Sequence, residues 1–329
     1  MEPRVEIHNC DCIQGLNDKV GDATVNLIVT SIPFEELFTY SGKPEDVGNN
    51  GSTVDIRAGR FALNMRFVVD QALRVLKPGC NAAIHIQQLL AYKVQHGFMG
   101  RRDFRGSMID VFGAGGFQYV GECAIPKNPQ AMAQRLNLHS LQFKTGVTRN
   151  SCQLMPAVND FLLIFQKPGE HPFPPKCLYD KKRNPKGWVT TEEWIKWAKG
   201  TWEDIAEIDV IDGCRLHKEQ KHEKHVCPLQ LEVIRRCVML YTNPISIDPD
   251  STVLDPFMGI GSTAYVALGG KSPMKGVGVG EPRHVVGFEL KESYYAAAID
   301  NAQKAVDQSA RRENGLFDGI KVKERRVAA

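Results

Sequence analysis

The sequence has no apolar run that approaches the ~20 residues needed to cross a membrane, and residues 1–6 lack the apolar segment of a signal peptide. Its net charge is only +3, from 41 Lys and Arg against 38 Asp and Glu. This balance excludes a strongly basic coat for nucleic acid, although local basic patches are compatible with it. The nine cysteines are scattered and odd in number, which favours reduced thiols. We therefore expect a cytoplasmic protein without a membrane contact.

The turn at residues 253–263 lacks both common phosphate-binding signatures. It reads Val-Leu-Asp-Pro-Phe-Met-Gly-Ile-Gly-Ser-Thr, with neither three spaced glycines nor a Gly-Lys-Ser/Thr ending. Gly259 and Gly261 allow backbone conformations closed to other residues and let a ligand approach the main chain. Ser262 and Thr263 are expected to cap the following helix. The pattern predicts a site for a nucleotide-like cofactor, and the alternative is an ordinary strand–turn–helix corner.

An acidic residue ends a second apolar strand further along the chain. Residues 285–290 read Val-Val-Gly-Phe-Glu-Leu. In a doubly wound sheet, an acid about 20 to 30 residues after the glycine turn reaches the ribose hydroxyls of a bound nucleotide. Glu289 therefore completes half of a predicted cofactor site.

A buried strand near the N-terminus, at residues 22–30, runs into the turn Ser31, Ile32, Pro33 and Phe34. With this turn preceding the glycine motif, the chain resembles the DNA amino-methyltransferases of the beta class. In that family a Ser/Asp/Asn-Pro-Pro-Tyr/Phe motif precedes the S-adenosylmethionine motif. The resemblance is to a phage- or prophage-like variant with Ser-Ile-Pro-Phe in place of Ser-Pro-Pro-Tyr.

Four further stretches carry the resemblance in the same order. Residues 7–16 are similar to the family's opening strand and turn, whose Asp contacts the cofactor adenine. Residues 70–79 are similar to the helix and turn after the catalytic strand, and residues 159–167 resemble a late strand of the sheet. Residues 225–231 resemble the short motif before the cofactor strand. The resemblance thus covers most of the chain.

The resemblance implies an α/β fold. We expect a doubly wound, Rossmann-like S-adenosylmethionine-dependent methyltransferase sheet in permuted motif order, with an inserted recognition region. The expected cofactor is S-adenosylmethionine and the expected partner is double-stranded DNA, in a bacterial or phage-infected host cell. No metal is expected, and the sequence is compatible with a homodimer. The residues expected to bind the cofactor are Asp11, Cys12, Pro228, Asp255, Pro256, Phe257, Gly259, Gly261, Ser262, Thr263, Glu289 and Leu290.

The Ser-Ile-Pro-Phe turn supplies the predicted catalytic residues. An exocyclic amino group is a poor nucleophile because its lone pair is delocalised into the ring, so acceptors must draw it toward a tetrahedral geometry. The resemblance makes Ser31 the side-chain acceptor and Phe34 the ring that stacks on a base rotated out of the duplex. Ile32 replaces the family's first proline, which stiffens the turn. This β-branched residue either mimics the extended shape or marks a decayed site.

The expected organisation has four parts. Residues 1–168 form the catalytic half, 169–224 an insert for target recognition, 225–308 the cofactor-binding half and 309–329 a basic tail. The insert interleaves prolines, basic residues and aromatics, as a DNA-contacting module does, and the alternative is a surface linker with core tryptophans. The residues expected to contact DNA are Lys181, Lys182, Arg183, Trp188, Arg101 and Arg102, with Lys127 as a further candidate.

Two segments have competing interpretations. Residues 35–59 have little apolar content, which predicts a mobile loop, either a lid over the flipped base or a plain disordered insert. Cys214, His217, His222, His225 and Cys227 are spaced too tightly for two good ligand pairs, so an exposed polar segment is favoured over a zinc site.

The sequence therefore predicts a site-specific DNA methyltransferase that acts on N4 of cytosine or N6 of adenine, in a restriction–modification setting. Serine at the first motif position favours cytosine. The alternatives are a catalytically impaired DNA-binding protein that keeps the fold, and a methyltransferase of RNA or protein.

Overall fold

The computed structural model describes residues 2–34, 46–48, 56–136, 140–211 and 228–324. The strands are β1 (Val5–His8), β2 (Val25–Ser31), β3 (Leu76–Gln87), β4 (Leu89–Ala91), β5 (Gly100–Arg102), β6 (Gln118–Ile125), β7 (Asp160–Gln166), β8 (Thr252–Asp255) and β9 (His284–Phe288). The helices are α1 (Cys12–Lys19), α2 (Arg60–Val75), α3 (Lys93–His96), α4 (Phe104–Ala114), α5 (Pro129–Arg135), α6 (Lys144–Asn150), α7 (Thr191–Trp197), α8 (Leu231–Tyr241), α9 (Ser262–Ala267) and α10 (Glu292–Glu324).

Seven strands form one sheet in the order β1-β9-β8-β2-β3-β7-β6, while β4 and β5 pair as a separate hairpin. β7 runs antiparallel to its neighbours β3 and β6, and β1, β9, β8, β2 and β3 run parallel. The order confirms a doubly wound sheet in which strands from the C-terminal half lie between β1 and β2. The winding reverses between β8 and β2, which is where such sheets open a crevice for a ligand.

The central strand β2 is buried on both faces. Leu27 and Val29 belong to the hydrophobic cluster formed with α8, α9 and α10. Ile28, pointing the other way, belongs to the cluster formed with α1, α2 and α4. A strand covered on both sides reads as a continuous apolar run, which is the pattern seen in its sequence.

The insert closes the β6 edge of the sheet. The main-chain N–H of Ala124 donates to Gly200 (2.9 Å), and that of Trp202 donates to Ala124 (2.8 Å). Trp197 and Trp202 are only 4% and 3% exposed, and the guanidinium of Arg236 lies 5.7 and 4.8 Å from their ring centroids. These two tryptophans are therefore core residues, as the alternative interpretation of the insert holds.

Charged side chains join the insert to α8. Arg236 is 1% exposed and donates to Asp204 of the insert (2.7 Å) and to Glu232 within α8 (3.0 Å). Arg235 donates to Glu193 of α7. The insert is thus fixed to the sheet through buried or half-buried ion pairs.

Several sequence expectations meet the structure here. The helix expected within residues 70–79 is the last part of α2, and the late strand expected at residues 159–167 is β7. α10 runs across position 309 without a break, so the basic tail does not begin there as a separate segment. Residues 35–45 and 49–55 of the expected loop and the Cys–His cluster at 214–227 lie outside the described residues. Within the described ranges, no helix has the length and apolar character of a membrane span, and no three His, Cys, Asp or Glu side chains gather as a metal site.

Candidate active site

The carboxyl ends of β2, β8 and β9 meet in one pocket. Ser31, Ile32, Pro33 and Phe34 line it, together with every expected cofactor residue except Gly261. The pocket is also lined by residues that sequence reasoning did not select: Cys10, Asp46, Val47, Leu229, Met258, Ile260, Phe288, Lys291 and Tyr294. The two motif halves, more than 200 residues apart in the sequence, form a single site because β2 and β8 are neighbours.

The two glycines after β8 have different roles. Both adopt positive φ, +55° at Gly259 and +89° at Gly261. A Cβ built at Gly259 would meet no described atom within 4 Å, whereas one at Gly261 would lie 2.8 Å from the Cα of Ala298. Gly259 thus leaves open space beside the main chain, and Gly261 lets α9 pack against α10. Gly261 is therefore required for helix packing, and its expected contact with the cofactor stays a prediction.

The start of α9 also differs from expectation. Gly261 is the N-cap, so Ser262 and Thr263 are the first helical residues and not caps. The hydroxyl of Ser262 is buried, lines the pocket and has no hydrogen-bond partner among the described residues. A buried hydroxyl is costly without a partner, which fits a ligand with polar groups in this pocket.

A buried carboxyl, Asp255, and a half-buried one, Glu289, lie beside the glycine turn. Asp255 accepts from the Thr30 hydroxyl (2.6 Å) and the Phe257 N–H (3.0 Å), and its burial raises its pKa to about 6. Glu289 accepts from the main-chain N–H groups of Gly259 and Lys291, each at 2.8 Å, and its burial raises its pKa to about 7. Both carboxyls are therefore held in place by the turn itself.

The opening strand delivers two more lining residues. Asp11 caps α1 by accepting from the N–H groups of Ile13 (2.9 Å) and Gln14 (3.0 Å). Burial raises the pKa of the adjacent Cys12 thiol far above its usual value, so this side chain acts as a small apolar group. The β1 end therefore supplies an ordered acidic corner to the pocket.

Ser31 is linked to a buried chain of polar groups that sequence reasoning did not identify. Its Oγ lies 2.9 Å from Nδ1 of His85, and Nε2 of His85 lies 3.0 Å from Oδ2 of Asp160. The ammonium of Lys127 lies 2.7 Å from the same Oδ2 and is 8% exposed. Burial alone would raise the pKa of Asp160, but the hydrogen bond from His85 and the charge of Lys127 hold it below its usual value. Lys127 is therefore an interior ion-pair partner and not a phosphate contact.

The remaining motif residues are packed side chains. Ile32 is 2% exposed and belongs to the cluster with α1, α2 and α4. Phe34 is 7% exposed, with its ring 6.0 Å from that of His85 and edge-on to Phe104 at 6.4 Å. The turn is thus held by apolar contacts on one side and by the Ser31 hydrogen bond on the other.

Comparison with known proteins agrees with this geometry. Residues 25–300 match the model of the N6/N4 DNA methylase family. The chain belongs to this family. Over 150 residues it is 29% identical to the type II methyltransferase M.BglI of Bacillus subtilis, a match covering 45% of this chain and only 32% of that protein. The chain therefore spans about a third of the length of this curated relative.

Two solved structures share the fold. A candidate DNA modification methylase from Thermus thermophilus, crystallised with S-adenosylmethionine, has a TM-score of 0.60 and 18% identity, over 92% of this chain and 94% of that one. The cytosine-N4-specific PvuII DNA methyltransferase has a TM-score of 0.58 and 17% identity, over 96% of this chain and 94% of that one. At these identities the likeness shows the fold.

The protein does not present all six expected DNA contacts at its surface. Trp188 is half-buried and donates its indole N–H to the carbonyl of Met239 (2.8 Å). Arg102 is 6% exposed and donates to Leu90 (3.3 Å). The polar groups of both side chains face main-chain carbonyls, and a DNA contact of either residue stays a prediction. Arg101 donates to the carbonyls of two residues before β7, Pro156 (2.8 Å) and Ala157 (2.7 Å), so its guanidinium is also engaged.

Lys181, Lys182 and Arg183 do lie on the surface. They follow Asp180, whose carboxylate accepts from the N–H groups of Lys182 (2.8 Å) and Arg183 (2.7 Å). Trp188, close to this turn in the chain, is anchored on the last turn of α8, whereas the pocket is lined by residues just before α8. The basic turn therefore lies near the C-terminal end of α8, whereas the pocket lies near the N-terminal start of this helix.

Proposed function

We propose that this chain transfers a methyl group from S-adenosylmethionine to an exocyclic amino group of a base in DNA. The observation that carries the proposal is the meeting of Ser31 with Gly259 and Glu289 in one pocket at the switch point of the sheet. Direct transfer requires that the hydrogen-bond acceptor for the amino group lies next to the site of the methyl donor.

The pocket fits S-adenosylmethionine. Bound there, the cofactor would supply a methyl group on a positively charged sulfur, the electrophile of the reaction. Glu289 would hold the ribose hydroxyls, because its carboxyl is fixed by two main-chain N–H groups beside the pocket. Gly259 leaves room for the cofactor against the main chain, and the buried Ser262 hydroxyl gains a partner.

The catalytic turn would act on the base. Ser31 is placed to accept a hydrogen bond from the amino group and to favour the tetrahedral nitrogen that attacks the methyl group. Phe34 lines the same pocket, as stacking on a flipped base requires. Ile32 is packed in the core, which supports its interpretation as an adapted residue that holds the turn.

DNA contact is proposed at two surfaces. The first is the basic turn at Lys181, Lys182 and Arg183, whose exposed cations suit phosphates. The second is the tip of the β4–β5 hairpin, which follows directly after the pocket end of β3. There Val94 is 99% exposed and Phe98 is 43% exposed, and apolar tips of this kind suit contact with unstacked bases.

The biological setting follows from the proposed reaction. A serine acceptor favours N4 of cytosine over N6 of adenine as the target atom, and a restriction partner would complete a restriction–modification pair. A homodimer is proposed as the assembly to test, by light scattering with and without DNA. The host-cell or phage origin stays a prediction.

The experiment is methyl transfer from labelled S-adenosylmethionine to mixed-sequence DNA. The DNA is then digested to nucleosides, which are separated to show whether N4-methylcytosine or N6-methyladenine forms. Ser31→Ala should lower turnover, while Ser309→Ala, away from the pocket, serves as the matched control. If RNA or protein were labelled instead of DNA, that molecule would replace DNA as the proposed substrate. If the chain bound the cofactor but transferred no methyl group to any acceptor, the result would favour a DNA-binding protein that keeps the fold.

A further inference from the structure

The chain of polar groups behind Ser31 decides which way its hydroxyl hydrogen points. Asp160 is 5% exposed and its pKa is lowered by the contacts of His85 and Lys127, although burial opposes this. A carboxylate accepts hydrogen bonds and donates none. Nε2 of His85, 3.0 Å away, must therefore carry a hydrogen and donate it to Asp160.

Charge balance sets the state of the other ring nitrogen. One buried carboxylate faces two basic groups, and the ammonium of Lys127, 2.7 Å from Asp160, already compensates its charge. Among the described residues, a second buried cation at this place would have no counter-charge in contact with it. The neutral ring with hydrogen on Nε2 leaves Nδ1 as an acceptor, so the Ser31 hydroxyl donates to it at 2.9 Å.

We propose that His85 is a positioning residue that accepts a hydrogen bond from the Ser31 hydroxyl. Because this bond engages the only hydrogen of the hydroxyl, Ser31 presents only acceptor lone pairs to the base. Such an oxygen favours a base with an amino group and disfavours one with a keto oxygen at the same place, because the hydroxyl has no hydrogen left for the keto oxygen. The inference rests on the proposed function, since it assumes that Ser31 faces the target base. It adds His85 of β3 and Asp160 of β7 to the functional residues of the Ser-Ile-Pro-Phe turn.

Two substitutions at position 85 separate positioning from packing. His85→Asn keeps a carbonyl oxygen near the place of Nδ1, where it can accept from Ser31. His85→Leu keeps the bulk and removes the acceptor. With mixed-sequence DNA and labelled cofactor, we expect His85→Leu to lower kcat by about 100-fold or more, His85→Asn to recover part of that loss, and the KM for S-adenosylmethionine to stay unchanged in both. His171→Asn, near the opposite end of β3, is the matched control histidine.

Nitrogen NMR of the full chain labelled in histidine provides a readout that does not depend on activity. The His85 signals, assigned by their loss in His85→Asn, should show hydrogen on Nε2 and none on Nδ1. Asp160→Asn should admit the other tautomer, because a carboxamide can donate to Nε2.

Each outcome decides the inference. Hydrogen on Nδ1 of His85 in the wild-type protein would overturn the inference. Equal turnover of His85→Leu and His85→Asn, with an active wild-type enzyme, would also overturn it, but the proposed function would stand. If the wild type transferred no methyl group to DNA, the proposed function would fail, and the tautomer would still show whether His85 directs the Ser31 hydroxyl.

Discussion

The carboxylate of Glu289 accepts a 2.8 Å hydrogen bond from the main-chain N–H of Gly259, so the end of β9 and the glycine turn after β8 form one unit. Lys291 supplies a second N–H to the same carboxylate. The acid proposed to bind ribose is therefore the residue that orders the turn beside the cofactor.

This bond leads to the first prediction. Glu289→Ala should weaken S-adenosylmethionine binding by about 1.5 to 3 kcal/mol, because a charge-assisted contact and the order of the turn are lost. Titration calorimetry measures this, with Glu292→Ala, an exposed acid in the first turn of α10, as control. Equal affinity of Glu289→Ala and wild type would contradict the assignment.

The raised pKa of the same carboxyl predicts a pH effect. Burial raises its pKa from 4.5 to about 7 in the folded protein. The folded state therefore binds the extra proton between these values, and the stability of the ligand-free protein should fall as the pH rises through this window. A cationic cofactor favours the carboxylate, so its affinity should rise as the pH rises through about 7. Calorimetry at several pH values checks this, and a pH-independent affinity in the wild type would refute it.

The buried arginine on α8 is expected to be the main link between insert and sheet. Arg236→Ala should destabilise the protein by about 3 to 5 kcal/mol, because it removes an ion-pair partner of the buried Glu232. It also removes the cation that contacts the rings of Trp197 and Trp202. Urea unfolding gives the free energy of unfolding. Arg60→Ala, on the exposed start of α2, should change it by less than about 0.5 kcal/mol. Similar losses in the two variants would show that the ion pairs do not hold the insert.

The departure at position 32 can be tested by restoring proline. Because Ile32 is 2% exposed and packed in the core, Ile32→Pro should cost about 1 to 3 kcal/mol of stability and leave turnover unchanged or lower. Ile32→Val, which removes one methylene, is the milder control. Thermal melting and methyl transfer measured on the same samples separate the two effects. A rise in turnover with proline would instead identify Ile32 as a decayed position.

The basic turn has a prediction of its own. Lys181→Glu with Lys182→Glu should weaken DNA binding, and the slope of affinity against salt concentration should become shallower, while cofactor affinity stays unchanged. The control is the pair Lys19→Glu and Lys304→Glu, which reverses the same charge on exposed helix positions outside the pocket. Fluorescence anisotropy at several salt concentrations measures both. Identical salt slopes for the two pairs would remove this turn from the DNA surface.

The DNA contacts were the least predictable part of the site. Basic and aromatic residues in a polar stretch look alike whether they face solvent or the interior. Lys127, Arg102 and Trp188 each have a polar end that pairs with a buried partner, and that partner is remote in sequence for Lys127 and Trp188. Composition does not show such partners.

Features that depend on neighbours along the chain could be predicted from the amino-acid order alone. The apolar run of β2, the turn from Ser31 to Phe34 and the turn around Gly259 are local patterns, because strand burial and positive φ leave their mark on a few consecutive residues. Features that depend on strand order required the folded sheet. His85 and Asp160 lie 54 and 129 positions beyond Ser31, and they reach it only because β3 pairs with both β2 and β7. The fold also determined that Gly261 packs against α10, since that close approach belongs to the packing of two helices and not to the glycine pattern.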